Sequence, residues 1–178
     1  RTPEVFNIPL RSFYSKNISN LMMAGRNISA THVAFTSTRV MATCAVGGQA
    51  AGTAAAMCLE RGISPRQLAR EPKLVSVLQQ RLLRDDQTIK NVRNQDPADL
   101  AREARATASA EIGDAKAMLV LDGESRDIPK QGIHHWEAPV GAWIALEWEK
   151  ARRVGALEIR FDTGFQRELT LTDRKSTR

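Results

Sequence analysis

Asn20–Arg61 reads NLMMAGRNISATHVAFTSTRVMATCAVGGQAAGTAAAMCLER, and the fold is decided in this stretch. Leu21, Met22, Met23 and Ala24 form an unbroken apolar run, the pattern of a short strand buried on both faces. Gly25 comes next, where a tight turn or a close backbone approach needs no Cβ. Arg26 to Ser37 carries polar groups and reads as a loop, and Ser37 or Thr38 suits the N-cap of a helix. That helix is expected from about Thr38 to Arg61, roughly 36 Å long at about 1.5 Å per residue. Glycine inside a helix costs about 1 kcal/mol against alanine. Gly48 and Gly52, four apart on one face, are therefore expected to admit a close neighbour such as a sheet or a ligand. The free N–H groups and the dipole at the start of such a helix favour an anion.

Outward from this stretch, Phe6, Ile8 and Leu10 alternate as in a short strand, and Pro9 confines it to an edge or a bulge. Gly62 suits the helix C-cap. Ser64 and Pro65 mark a fresh helix start, and Leu74, Val75, Leu78, Leu82 and Leu83 repeat at helical spacing up to Arg84. Residues 85–105 are polar, contain Pro97, and read as a linker, with a short helix start near Asp96–Ala101. From Ala106 the texture becomes β. Met118–Leu121 ends at the turn signal Asp122-Gly123, and Trp143–Trp148, Leu157–Asp162 and Leu169–Thr172 are further strand candidates. Short strands split by turns imply an antiparallel sandwich, incomplete over residues 106–178.

The 178 residues carry a formal net charge of +6, with 42% hydrophobic and only 5% aromatic residues. Residues 1–105 hold 15 basic and 8 acidic side chains, against 11 and 12 in residues 106–178. No Lys/Arg run with interleaved aromatics is present, which argues against nucleic acid as a partner. Val40–Leu59 holds no charge and contains a GxxxG, so a membrane helix has to be weighed. Its Ala and Gly content gives little insertion free energy, and no membrane partner is expected. Cys44 and Cys58 lie about 21 Å apart along one helix and cannot pair, since bridged Cα atoms sit within about 7 Å. Both read as small buried hydrophobes, and neither indicates a compartment, whether periplasmic, exported or cytoplasmic. His134 and His135, adjacent in an extended segment, would point to opposite faces and not share a metal. Trp136 beside them offers a sugar-stacking surface, with a plain turn or strand edge as the alternative.

The elements NLMMAGR, ISATHVA, STRVM and GQAAGTAAA occur in order and at close spacing within Phe6–Leu83. Together with IPLRSFY they resemble the C-terminal part of FAD-dependent oxidoreductases with a glutathione-reductase-like FAD domain. The nearest subgroup is bacterial and often found with carbohydrate-related neighbours. The resemblance implies an α/β fragment, residues 1–84, comprising the C-terminal strand and long helix of a Rossmann-like FAD-binding domain. Since no GxGxxG is present, the chain is expected to be a fragment that does not carry flavin through purification. FAD is the implied cofactor, and the implied substrate is a small molecule, with carbohydrates among the candidates. The resemblance places Gly25 and Arg26 on the ribityl–pyrophosphate side, and Ser29 and His32 in the loop near the isoalloxazine. It places Thr38, Arg39, Val40 and Met41 at a helix start facing the pyrimidine edge. Many relatives carry an acidic residue after the strand glycine; Arg26 departs from that pattern and agrees with the nearer subgroup. His32 is the sole acid–base candidate in the matched segment, with a structural role as its alternative.

The order ATAS, VLDG, HHW, WIALEW, LEIRFD resembles, more loosely, a discoidin or galactose-binding-like jelly roll. The runner-up function is accordingly a non-catalytic carbohydrate-binding sandwich with a helical N-terminal extension.

Overall fold

A computed structural model describes residues 5–128 and 131–161. Four helices come first: α1 (His32–Thr38), α2 (Met41–Arg61), α3 (Pro65–Arg70) and α4 (Pro72–Arg84). Two strands come after them, β1 (Arg105–Ala108) and β2 (Ile144–Glu147). Single 3-10 turns sit at Leu10–Phe13, Gly25–Asn27, Leu100–Glu103 and Ala117–Leu121.

The boundaries of α2 to α4 arise from local chemistry. Gly62 ends α2 at φ 62°, its N–H reaching the carbonyls of Cys58 and Leu59. Ser64 and Gln67 form a reciprocal capping box around Pro65, the first residue of α3. Glu71 caps α4, which opens on Pro72. The three helices close on one another through Ala54, Met57 and Cys58 of α2, Leu68 of α3, and Leu78 and Leu82 of α4. Met57 and Leu68 are fully buried, each burial worth about 1.5–3 kcal/mol. A smaller cluster joins Phe13, Ile28 and Ala51, with Ile8 and Met22 packed against it. Cys44 and Cys58 are both free, the first half-buried and the second buried. Among the described residues, no helix is long and apolar enough to cross a membrane.

Several expected elements take another form. Leu21–Ala24 is not a buried strand: Leu21 is 40% exposed, and Met22 makes a single antiparallel bridge to Tyr14. The apolar run finds one partner segment, Phe13–Ser15, and no strand on its other side among the described residues. Phe6–Leu10 is likewise no strand, since Leu10 begins a 3-10 turn. The segment expected as a polar loop contains α1, capped by Thr31, whose Oγ1 accepts from the Ala34 N–H at 3.3 Å. The long helix starts later than Thr38. Thr38 closes α1, buried, with its hydroxyl donating to the Phe35 carbonyl. Extended backbone at Val40, not Ser37 or Thr38, forms the N-cap of α2, with no side-chain bond.

Among the described residues, Gly47 is the packing glycine of α2, and Gly48 and Gly52 meet no neighbour. A Cβ on either would meet nothing within 4 Å, whereas one on Gly47 would lie 2.9 Å from the Phe13 ring. The buried face of α2 runs through Gly47, Ala51, Ala54, Met57 and Cys58, and a one-residue step turns a side chain by about 100°, away from that face. Met41, Ala45, Gly52, Ala56 and Leu59 fall on the opposite face, exposed.

Residues 85–105, expected as a linker, are tied to both sides. Asn7 and Lys90 exchange reciprocal bonds, and the Gln80 side chain holds the Arg93 carbonyl and the Gln95 N–H. The Asn94 N–H donates to the Gly123 carbonyl at 2.8 Å. Asp99 caps the short 3-10 turn Leu100–Glu103. Beyond it, β1 pairs antiparallel with β2 in the register Arg105–Glu147 to Ala108–Ile144, the one sheet among the described residues. The strand expected within Trp143–Trp148 is thus present. Trp143 is exposed, and Trp148 is half-buried with its indole N–H on the Leu100 carbonyl at 2.8 Å. Met118–Leu121 lies in a 3-10 turn instead of a strand, and Leu157–Phe161 is exposed and unpaired in any sheet. Asp162 and Leu169–Thr172 lie outside the described residues.

Candidate cofactor site

The turn Gly25–Asn27 and the junction between α1 and α2 bring part of the expected site together. Gly25 sits at φ 86°, the left-handed conformation that suits glycine. The turn it makes sends the Arg26 guanidinium over the Phe35 ring, 5.9 Å from its centre. Arg39, the C-cap of α1, reaches the same ring at 5.9 Å. Phe35 and Arg39 are four apart, the spacing that places side chains over one another on a helix. One aromatic ring thus lies near two guanidiniums, each at the edge of the cation–π range of about 6 Å.

Val40 and Met41 come directly after, both exposed, Met41 at 87%. Val40 offers no side-chain cap, so among the described residues no N-cap side chain satisfies the first N–H groups at the positive end of the 21-residue α2. Two guanidiniums, open backbone donors and an apolar edge suit an anionic group attached to a flat ring system. Of the other expected residues, Ser29 is exposed and anchored through its N–H to the Ser12 carbonyl, and Thr38 is buried behind the junction. His32 is exposed at the first position of α1, and among the described residues no side chain orients its imidazole. That leaves it without the hydrogen-bonded partner a positioned acid or base requires. Phe35 escaped the sequence reading; its spacing from Arg39 was the available signal.

A second polar constellation lies between residues 122 and 137. The His134 side chain is 6% exposed, and its Nδ1 meets Asp122 Oδ2 at 2.6 Å. Its backbone N–H donates to Asp127 Oδ1 at 2.7 Å, and His135 Nδ1 meets the same oxygen at 3.0 Å. Burial alone would raise the Asp127 pKa, but the His134 N–H and His135 outweigh it and hold the carboxyl below its ordinary value. The two imidazoles thus meet different carboxylates, His134 on Asp122 and His135 on Asp127, while the His134 backbone N–H also donates to Asp127. Among the described residues, no group of three or more His, Cys, Asp or Glu is placed to hold a metal. The Trp136 indole N–H donates to the Ala110 carbonyl at 3.0 Å.

Residues 1–82 match the family model described as FAD dependent oxidoreductase, and that family implies FAD as the cofactor. No curated protein and no solved structure matches the chain.

Proposed function

We propose that residues 5–84 are the part of a flavin oxidoreductase that receives the FAD diphosphate and the adjoining edge of the flavin. The observation that carries this reading is the convergence of Arg26 and Arg39 on Phe35, beside the uncapped start of α2. When bound, FAD supplies the redox chemistry; the protein supplies binding, orientation and electrostatics. Arg26 and Arg39 would pair with phosphate oxygens, which guanidiniums suit by geometry and permanent charge. The positive end of α2 favours negative charge placed against Met41 and Ala42. Val40 and Met41 offer the apolar contact that a ring edge needs. The exposed small-residue face of α2, through Ala45, Gly52 and Ala56, is where the sheet of a Rossmann-like domain would lie. The substrate is a small molecule. His32 is not assigned a catalytic role, because no side chain among the described residues holds its imidazole.

Titration of the chain with FAD, ADP and riboflavin, monitored by amide chemical shifts, tests this. FAD and ADP should perturb Arg26, Phe35, Arg39 and Met41, and riboflavin should bind more weakly than either. Riboflavin binding as tightly as FAD, or no perturbation by FAD, would remove the reading.

A further inference from the structure

We propose that buried His134 is a proton-operated latch: its charged imidazole closes the turn Asp122–Glu124 onto residues 93–95, and its neutral imidazole releases it. The His134 side chain is 6% exposed and stands between two carboxylates. Its Nδ1 meets Asp122 Oδ2 at 2.6 Å, and its Nε2 lies 3.4 Å from Glu124 Oε2. A contact of 2.6 Å with a carboxylate oxygen needs a proton on Nδ1, so a neutral ring carries its single proton there. Nε2 then turns a lone pair toward Glu124, and it makes no hydrogen bond among the described residues. A charged ring donates from both nitrogens and serves both carboxylates. One proton therefore converts a buried repulsion into a charge-assisted attraction.

The surrounding bonds carry that change to the helical region. Asp122 Oδ1 accepts the Glu124 N–H at 2.9 Å, and Arg93 Nε lies 2.9 Å from Glu124 Oε1, so the oxygens that face the ring are the other two. Between the two acids, the Gly123 carbonyl accepts the Asn94 N–H at 2.8 Å. Gly123 permits this approach: it lies at φ 86°, and a Cβ there would meet the Asn94 backbone at 3.2 Å. Gln80 of α4 holds the chain on both sides of Asn94, at the Arg93 carbonyl and the Gln95 N–H. The remaining titratable groups act on the backbone of His134 or on its neighbour. Asp127 Oδ1 accepts the His134 N–H at 2.7 Å and meets His135 Nδ1 at 3.0 Å, while Glu137 Oε2 is 4.0 Å from His135 Nε2. The latch holds on the acid side of the imidazole titration and opens as pH rises through it, the reverse of the contribution of Asp127.

Hydrogen exchange of the Asn94 amide, read by NMR on the 178-residue chain across the imidazole titration, tests the proposal. Corrected for intrinsic base catalysis, opening at Asn94 should grow by at least about tenfold, the worth of one hydrogen bond to a charged group, as the His134 ring signal moves from charged to neutral. The Leu68 amide, in the apolar core, should show no such step. His135→Gln should keep the step, Glu124→Gln should shrink it, and His134→Gln should remove it. Should His134→Gln not fold, the wild type still decides, since the step must share its midpoint with the His134 ring. Four results would each overturn the latch: no step at Asn94, an equal step at Leu68, a step lost in His135→Gln, or a full step surviving in His134→Gln or Glu124→Gln.

Discussion

Between Met41 and Arg84 the chain closes on apolar side chains, whereas between Asp85 and Trp148 it closes on hydrogen bonds and ion pairs. In the first region Met57, Leu68, Leu78 and Leu82 interlock with almost no exposure. In the second the buried apolar groups are small or isolated, namely Ala106, Ala115, Ala117 and Ile128. Its cohesion comes from Arg93 on Glu124, Arg126 on Asp86, Arg84 on Asp96, and the two histidines on Asp122 and Asp127. The contrast assigns each region its own sensitivity. The helical region should respond to volume and the loop region to charge.

The largest effect expected is from Leu68→Ala. Truncation at a fully buried site should cost about 2–5 kcal/mol in urea unfolding. A cost under about 1 kcal/mol, the size of an ordinary surface change, would erase the contrast. Next come the glycines of α2. Gly47→Leu should destabilise by about 1–3 kcal/mol, because its side chain must displace the Phe13 ring. Gly48→Ala should stabilise by up to about 1 kcal/mol, since its Cβ enters open space in a helix. Opposite signs would mean that the faces of α2 are wrongly assigned.

The smallest effect belongs to the loop region. The folded-state pKa of Asp127 lies below its ordinary value. Its contribution to stability is therefore full above the unfolded pKa of about 3.9 and is lost as pH falls through the lower folded value. Asp96 behaves likewise, held down by the Ala98 N–H and then by Arg84. Unfolding measured from pH 7 downward should show a loss that Asp127→Asn flattens and Leu68→Ala leaves in place. An acid limb identical in wild type and Asp127→Asn would mean that this carboxylate does not hold the loops.

What the sequence disclosed divides along the same line. Gly62, Ser64 and Pro65 announced their helix ends correctly because capping is settled within a few residues. The leucines of α4 were legible for the same reason: their partners share one period. The packing glycine was not, because Phe13, which selects Gly47 over Gly48, lies more than thirty residues away. Leu21–Ala24 and Leu157–Phe161 carry strand patterns but lack partner strands among the described residues, and pattern alone does not close a ladder. Trp143–Trp148 found its partner in β1 and became a strand. Of the residues that the resemblance places near FAD, Arg26 and Arg39 come together on Phe35, a ring that no motif in the sequence singled out. The carboxylate–imidazole contacts of His134 and His135 likewise obey no local motif; chain reversal creates them.

The central claim is that Arg26 and Arg39 act together on the FAD diphosphate, and a salt-dependent binding cycle tests it most directly. FAD affinity would be measured for wild type, Arg26→Ala, Arg39→Ala and the double variant at low and high ionic strength. Each single change should weaken FAD and ADP binding while sparing riboflavin. The two losses should be non-additive, as for charges sharing one ligand. The salt dependence should shrink with each arginine removed. Equal FAD affinity in all four proteins, with unchanged salt dependence, would contradict the account.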